Sequence, residues 1–293
     1  MKGLVIINAY PNGEKFIRQG ERIAAELRAL GVEAKTVRAN EIVAGLRGNG
    51  EVCVEGLEDC TFAVYLDKDK YLGKMLEKLN IRLFNHAEAV EVCDDKFLTY
   101  LALSEKNIPI IESISAPLCY TPNAIPSVEF LTSVAHNFSF PLVLKKSYGS
   151  FGQGVQLVHG MPELIDAERR NLYVPHFYQR YIKESAGRDI RVIVIGGKAF
   201  AAMERVAQEG EFRSNVELGG IGREMELPQE YRLVAERAAE TLGLDYCGVD
   251  LLETQEGPVL CEVNSNAFFE GIEAVTGKNV AKEYAKHIYE SLR

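Results

Sequence analysis

The chain has 293 residues, of which 47% are hydrophobic and 26% charged, and a formal net charge of −9, proportions ordinary for a globular protein with a large core. The acidic balance and the lack of a basic patch argue against binding of DNA or RNA through phosphate neutralisation. No apolar run approaches the roughly 20 residues that span a bilayer, and neither a signal-peptide pattern nor a Cys-x-x-Cys pair is evident, so we expect a cytoplasmic protein with reduced cysteines and no membrane partner.

The first ninety or so residues alternate between strand-like and helix-like patterns. Short apolar runs predict strands, and apolar residues at a helical period predict helices. The strands are expected over 4–7, 33–37, 61–66 and 82–84, and the helices over 14–30 and 70–79. Such alternation favours a small parallel sheet with helices on its faces. The glycine pattern of a dinucleotide site does not follow the first strand, but the loop at 8–13 lies where such sheets bind substrates.

After residue 90 the pattern changes. Asp94 is placed to cap a helix that runs to 106, and the proline-rich stretch at 117–126 is typical of a linker into a new domain. Further strands are expected over 140–146, 155–158, 192–195 and 198–205, the last two joined by a hairpin turn at Gly196-Gly197.

A glycine-rich loop separates the strands at 140–146 and 155–158. It has glycines at 149, 152 and 154, so its backbone amides can approach phosphates, and Lys145 on the preceding strand would reach them as a point charge. Neither a Gly-Lys-Ser/Thr sequence nor a helix follows the glycines, which excludes a Walker A loop. An ordinary glycine-rich hairpin is the alternative.

A second hairpin, 248–253 joined to 258–264, carries an acidic face. Pairing about Glu256 sets Asp250 opposite Glu262, with Asn264 on the same side. The same alternation assigns Leu252 and Leu260 to this face, and the following to the apolar face: Val249, Leu251, Cys261 and Val263. Opposed like charges repel unless a cation lies between them, and few, hard oxygen ligands suit magnesium shared with nucleotide phosphates. A solvated acidic edge is the alternative.

Several segments from about residue 90 onward resemble one known superfamily when they are taken together and in order. They are Pro-Leu-Val-Leu-Lys, Gly-Ser-Phe-Gly-Gln-Gly-Val, Gln-Arg-Tyr-Ile-Lys-Glu-Ser-Ala-Gly-Arg-Asp-Ile-Arg, Ala-Ala-Met-Glu-Arg, Phe-Arg-Ser-Asn, Gly-Val-Asp-Leu-Leu, and Glu-Val-Asn-Ser-Asn followed by Glu-Gly-Ile-Glu. This series resembles the ATP-grasp superfamily, and within it the RimK-type amino-acid ligases.

The resemblance implies an α/β (α+β) chain with the ATP-grasp fold and an N-terminal Rossmann-like pre-ATP-grasp domain. The implied parts are an N-terminal domain over 1–92, a linker helix and central subdomain with the glycine-rich loop over 93–178, and a C-terminal subdomain with the metal site over 179–293. The resemblance is also compatible with a homo-oligomer.

The resemblance implies site residues as well. The implied nucleotide contacts are two lysines, the glycine-rich loop, a hinge at adenine, an acidic position and a triplet: Lys96, Lys145, Ser150, Gly152, Gly154, Gln179, Arg180, Tyr181, Ile182, Asp189, Arg213, Ser214 and Asn215. The implied ligands of two magnesium or manganese ions are Asp250, Glu262 and Asn264. Arg180 departs from the family, which often has Glu there, so an altered adenine pocket stays open.

The implied reaction is ATP-dependent joining of a carboxylate and an amine through an acyl phosphate, with Lys145 and Arg213 stabilising developing charge. Glutamate or a similar amino acid would be added to a protein, peptide or metabolite acceptor. Two alternatives remain. One is a non-catalytic ATP-binding sensor or scaffold, which could lose its metal ligands. The other is a different ATP-grasp ligase, such as a D-alanine–D-alanine type, although the Arg-Ser-Asn and Glu-Gly-Ile-Glu segments favour the RimK type.

Overall fold

The computed structural model describes residues 1–11, 13–57, 59–150, 152–214 and 219–293. Asn215, one of the implied nucleotide contacts, lies outside these residues. No helix in this part of the chain is long and apolar enough to cross a membrane. The six cysteines, all of which are described, form no disulfide.

A parallel sheet forms the N-terminal part of the fold. Its strand order is β2 (Glu33–Arg38), β1 (Lys2–Ile7), β5 (Phe62–Leu66), β6 (Arg82–Phe84), and its helices are α1 (Glu14–Ala29) and α2 (Lys70–Lys78). Successive side chains of β1 point to opposite faces, so Val5 and Ile7 pack with α1 while Leu4 and Ile6 pack with α2. The predicted parallel sheet is confirmed, and its likeness to a Rossmann fold stays a prediction.

Some elements of this region are not among the predicted ones. They are the hairpin β3 (Val43–Leu46) and β4 (Val52–Glu55), and a helix α3 (Ala87–Asp94) directly before α4 (Lys96–Ser104). The predicted capping residue of α4 is wrong by one position. Asp95, rather than Asp94, accepts hydrogen bonds from Phe97 N and Leu98 N at 2.9 and 3.1 Å. Asp94 ends α3 and pairs with Lys68 at 2.6 Å.

A second sheet is antiparallel. Its order is β7 (Ser113–Ser115), β10 (His176–Arg180), β8 (Leu142–Lys146), β9 (Val155–Val158), and helices α5 (Val128–Phe138) and α6 (Met161–Asn171) cover one face. Leu142 and Leu144 lie under these helices, so Val143 and Lys145 point to the opposite face. We call residues 147–154, between β8 and β9, the flap.

The third sheet is also antiparallel and contains five strands. Its order is β13 (Ile221–Glu224), β12 (Lys198–Val206), β11 (Arg188–Ile195), β14 (Tyr246–Thr254), β15 (Gly257–Asn264), and its helices are α7 (Gln229–Thr241), α8 (Glu270–Thr276) and α9 (Val280–Ser291). Helices α4 and α7 share a core with Val192 and Val249 on one face. Helix α9 returns to α1, where Ile288 shares a core with Ile23 and Leu27.

Both hairpins of this sheet carry a β-bulge that shifts the register by one residue. In β11–β12 the shift falls between Ile193 and Val194, and it sets Asp189 opposite Arg205. In β14–β15 the turn lies between Thr254 and Gly257, half a residue from the predicted centre. The shift beside Asp250 compensates for this difference, so the predicted pairing of Asp250 with Glu262 is confirmed.

The bulge in β15 changes which side chains face the core. Leu260, predicted on the acidic face, is fully buried in the core with Val249 and Val263. Cys261, predicted on the apolar face, lies beside Lys145, with 3.5 Å between Nζ and Sγ. The faces predicted for Leu260 and for Cys261 are therefore wrong, because a bulge breaks the strict alternation of a strand.

Candidate active site

Two adjacent cavities lie where the three sheets meet. The larger cavity has a volume of about 390 Å³ and the smaller cavity about 110 Å³. Six residues line both cavities, and we call them the shared wall: Lys96, Gly149, Ser150, Arg205, Asp250 and Glu262. A group held in one cavity can therefore react with a group held in the other across these residues.

The smaller cavity lies between the second and third sheets and is apolar at one end. All four predicted hinge residues line it, namely Gln179, Arg180, Tyr181 and Ile182, together with Ile111, Val143 and Leu252. Two hydrogen bonds fix the Gln179 side chain, because its Nε2 donates to the Tyr100 hydroxyl at 2.9 Å and to Ser113 Oγ at 3.0 Å. The guanidinium of Arg180 instead pairs with exposed Glu112.

The other end of the smaller cavity is cationic, because Lys96, Lys145 and Arg213 line it. The Nζ of Lys96 donates to Gly149 O at 2.7 Å and lies 3.7 Å from Glu262 Oε1. Burial lowers the pKa of Lys145. The opposing effect of Cys261, Tyr100 and Glu262 is larger, so the pKa lies above its ordinary value. These cations suit an anionic ligand such as a phosphate chain.

Arg213 connects the flap to the segment that follows β12. Its Nη1 donates to Gly152 O at 3.0 Å, and its Nε and Nη2 donate to Glu211 at 2.9 and 2.8 Å. These hydrogen bonds lower the pKa of Glu211 to about 2. Lys96 and Arg213 thus both donate hydrogen bonds to backbone carbonyls of the flap.

The remaining predicted residues of the flap and triplet have different positions. Ser150 and Gly152 line the smaller cavity, as does buried Ser214. Gly154 lines neither cavity. Its φ of +78° is strained for any residue with a side chain, and an added Cβ would lie 2.8 Å from the Lys146 side chain.

Asp250 and Arg205 of the shared wall belong to a chain of charged side chains that also includes Arg191 and Asp189. Arg191 donates two hydrogen bonds to Asp250, one of them at 2.7 Å, and Arg205 Nη2 lies 2.9 Å from Asp250 Oδ2. Arg205 also donates to Asp189 at 2.7 and 2.6 Å. Burial alone raises the pKa of Asp250, but Arg191 and Arg205 outweigh it and hold this pKa below its ordinary value.

These contacts revise the argument that led to the metal site. The opposed Asp250 and Glu262 already have cationic partners from the protein, so their repulsion does not require a metal ion. Among the described residues, no three His, Cys, Asp or Glu side chains form a group able to hold a metal. The oxygens available for magnesium are those of Asp250 and Glu262 on the shared wall and of Asn264 in the larger cavity. A carboxylate has about four acceptor positions, so Asp250 can keep its arginines and still contact a cation.

Arg191 and Arg205 are site residues that were not predicted from the sequence. A signal for Arg205 was present, since it ends the Ala-Ala-Met-Glu-Arg segment. A plain hairpin about Gly196-Gly197 would set Asp189 opposite Glu204, and only the bulge brings Arg205 to that position. The pairing was therefore hidden from a register counted along the sequence.

The larger cavity extends from the shared wall to the N-terminal sheet. Loops after β1 and β5 contribute Asn8, Tyr10, Pro11, Asp67 and Lys68, and the segment after β15 contributes Ser265, Asn266, Ala267 and Phe268. The Phe268 ring meets Phe16 edge-on, with centroids 4.8 Å apart. Phe269 is buried in the core instead. Of the two adjacent aromatic residues, Phe268 therefore belongs to the cavity.

Comparison with known proteins gives consistent matches. A family model described as "RimK-like ATP-grasp domain" matches residues 93–288. A "Probable alpha-L-glutamate ligase" of Syntrophotalea carbinolica is 36% identical over 217 residues, which cover 73% of this chain and 69% of the relative. A "Beta-citrylglutamate synthase B" of Danio rerio is 32% identical over 222 residues, which cover 74% of this chain and 53% of the relative. The chain thus spans about half the length of this second relative.

The fold is also similar to solved structures. One is the ATP-grasp ligase PsnB complexed with a phosphomimetic variant of its minimal precursor, Mg and ADP. The similarity covers 99% of this chain and 98% of that one, with a TM-score of 0.70 and 16% sequence identity. At this identity the likeness establishes the ATP-grasp fold.

Proposed function

The chain belongs to the RimK-like ATP-grasp family, and from this premise we propose that it is an ATP-dependent carboxylate–amine ligase. The observation that carries the proposal is the shared wall between the two cavities. A nucleotide in the smaller cavity would present its γ-phosphate to the shared wall, and a carboxylate in the larger cavity would meet it there. A protein that only senses ATP has no need of the larger cavity.

The smaller cavity fits a nucleotide in its chemistry. Its apolar end, next to the backbone of 179–182, suits adenine, and its cationic end suits phosphates. The volume of about 110 Å³ is below the roughly 300–1,000 Å³ typical of ligand pockets. We therefore propose that the flap moves outward to admit ATP and returns over it, with Lys96 and Arg213 exchanging flap carbonyls for phosphate oxygens.

We propose that Asp250, Glu262 and Asn264 hold Mg²⁺ together with the phosphates. Carboxylate and amide oxygens supplied by few side chains suit magnesium, whose remaining ligands are phosphate oxygens and water. Bound magnesium neutralises phosphate charge. The choice between magnesium and manganese, and the presence of two ions, stay predictions.

The chemistry assigned to the site has two steps. An oxygen of the acceptor carboxylate attacks the γ-phosphorus, the bond to the β–γ bridging oxygen breaks, and ADP leaves, which yields an acyl phosphate. The ammonium form of the amine first gives up one proton, and the neutral nitrogen then attacks the acyl carbon. The bond from that carbon to the phosphate oxygen breaks, and the nitrogen passes a second proton to the leaving phosphate. Lys145 and Arg213 stabilise charge on the phosphoryl oxygens, and the closed flap excludes water from the acyl phosphate.

The names of the relatives guide the choice of substrates. We propose that the amine is glutamate or a similar amino acid, because the two relatives are named as a glutamate ligase and a citrylglutamate synthase. The carboxylate is then a small acid or a peptide. The family match favours this type over a D-alanine–D-alanine ligase.

The test incubates the protein with ATP, Mg²⁺ and L-glutamate as the amine, and with either citrate or a peptide ending in glutamate as the carboxylate. Release of ADP and phosphate and the mass of the product are measured. We expect amine-dependent ADP release and a product heavier by one glutamate residue. ATP binding without turnover across a panel of amino acids would contradict the proposal.

Glu262→Gln is the informative variant, with Glu256→Gln as its control. Within the described part of the chain, Glu262 forms an ion pair with Lys96 alone. Asp250 is less suitable for substitution, because Asp250→Asn would leave Arg191 and Arg205 with less charge compensation in a buried site. We expect Glu262→Gln to lower turnover roughly 100-fold or more. Glu256 is exposed in the turn of the same hairpin, so its variant should retain activity. Full activity of Glu262→Gln would contradict the metal assignment.

A further inference from the structure

Asp67 differs from the other carboxylates that line the larger cavity. Asp94 pairs with Lys68 at 2.6 Å, Asp250 with Arg205 at 2.9 Å, and Glu262 with Lys96 at 3.7 Å. Asp67 forms no ion pair with any Lys, Arg or His in the described part of the chain. The residue is only 5% exposed. A carboxylate that faces a cavity and has no cationic partner can bind a cationic ligand through a charge-assisted hydrogen bond.

Asp67 is held in one orientation. Its Oδ1 accepts hydrogen bonds from Asn8 Nδ2 at 3.0 Å and from the backbone N–H of Lys68 at 2.7 Å. Its Oδ2 makes no hydrogen bond to the residues that the structure describes. One oxygen therefore fixes the side chain while the other is available to a ligand in the larger cavity.

Contacts of its sequence neighbours Lys68 and Leu66 place Asp67 close to the shared wall. Lys68 Nζ lies 3.4 Å from Ser150 Oγ on the shared wall. On the other side, Asn266 Nδ2 donates to Leu66 O at 2.7 Å, and Asn266 follows Asn264 by two residues. The cavity that contains Asp67 is therefore bounded by the flap and by the strand that carries the proposed metal ligands.

We propose that Asp67 binds the ammonium group of the amine substrate, which is an amino acid. This assignment rests on the proposed ligase function. Hydrogen bonds from an ammonium to a carboxylate are charge-assisted and short, and they are strong in a site shielded from water. The same contact holds the nitrogen beside the shared wall, where the acyl phosphate forms. An amine that enters as a cation is therefore selected over a neutral or anionic analogue.

The test compares Asp67→Asn with the unaltered protein. Asparagine keeps an oxygen for Asn8 and for the Lys68 N–H but lacks the charge. The probes are L-glutamate and glutarate, which differ only in the amino group, titrated calorimetrically with ADP and Mg²⁺ present. We expect Asp67→Asn to weaken L-glutamate binding about 10- to 100-fold and to leave glutarate binding within about threefold.

Two further variants serve as controls. Asp67→Glu keeps the charge and should recover part of the affinity for L-glutamate. Asp166→Asn changes the net charge equally at an exposed position on α6, remote from both cavities, and should leave binding unaltered. Unchanged binding of ADP by Asp67→Asn would establish that the variant is folded.

Three results would overturn the assignment. They are equal loss of affinity for both probes, unchanged affinity of Asp67→Asn for L-glutamate, and failure of the unaltered protein to prefer L-glutamate over glutarate. The proposed function fails separately, if the unaltered protein releases no ADP with any amino acid while Asp67 still discriminates between the probes.

Discussion

Charged side chains on the shared wall are paired with one another and with charged residues beside it. Asp250 is held between Arg191 and Arg205, and Asp189 holds Arg205 from the other side. Their mutual neutralisation offsets part of the cost of burying several charges in one site.

A second buried polar cluster lies between helix α6 and strand β10 of the second sheet. His176 Nε2 lies 2.7 Å from Glu168 Oε2, its Nδ1 lies 2.7 Å from Val174 O, and the Tyr178 hydroxyl donates to the same Glu168 oxygen. Burial raises the pKa of Glu168, but His176 and Tyr178 outweigh it, so the pKa lies below its ordinary value of 4.5.

This lowered pKa predicts a pH dependence of stability. The folded chain holds the Glu168 proton less tightly than the unfolded chain, so the contribution is complete above about pH 4.5 and is lost as pH falls through the folded value. Glu168→Gln should be about 1–3 kcal/mol less stable than the unaltered protein at neutral pH, and this difference should shrink in acid. Urea unfolding from about pH 7 to about pH 3.5 measures it. A difference that stays constant over this range would contradict the prediction.

The flap is the element whose state decides access to the smaller cavity. Cations from α4 and from the segment after β12 hold its carbonyls, through Lys96 on Gly149 O and Arg213 on Gly152 O. These are the same side chains assigned to phosphate binding. The side chains proposed to bind phosphate thus also hold the flap in its closed position.

Arg213→Ala should release the flap and impair the reaction. Loss of the hydrogen bond to Gly152 O should increase amide hydrogen exchange at 147–150 and 152–154 in the nucleotide-free protein. Turnover should fall roughly 100-fold or more while ADP affinity changes only a few-fold, because Arg213 acts on charge that develops in the reaction. Arg169→Ala, on the exposed face of α6, is the control. Equal losses of turnover and ADP affinity would argue against this role.

Across the whole molecule, the two ends of the chain meet in one core. Helix α9 packs on α1, and Ile288 and Tyr284 are buried with Ile23 and Leu27. Ion pairs Arg18–Glu270 and Arg22–Glu273 join α1 to α8 nearby. The larger cavity has one wall from the N-terminal sheet and another from β15 and its following segment, so these contacts determine its shape.

Ile288→Ala should therefore destabilise the N-terminal sheet although it lies near the C-terminus. Truncation of a fully buried isoleucine costs about 2–5 kcal/mol through lost burial and a residual cavity. Urea unfolding gives the free energy, and hydrogen exchange of β1 and β5 gives its location. Leu233→Ala, on the exposed side of α7, should change stability by less than about 0.5 kcal/mol. Loss of protection confined to α9 would contradict the shared core.

How much the sequence determined depends on the range of each interaction. The parallel sheet at the N-terminus, the flap glycines and the Asp250–Glu262 pair were predicted because hydrophobic period, turn residues and strand alternation are local properties of the chain. The family was predicted from eight segments in order, and the family match confirmed it. The roles of the individual site residues stay predictions.

The tertiary structure alone decided which charges pair and which residues form the second cavity. A bulge in β11–β12 set Asp189 opposite Arg205, a bulge in β14–β15 turned Cys261 toward Lys145, and neither bulge has a signal in the hydrophobic pattern. Asp67 is 195 residues from Glu262 in the sequence, yet the packing of three sheets places both in the same cavity. Such contacts depend on how sheets and helices pack over long sequence separations, and local patterns do not encode them.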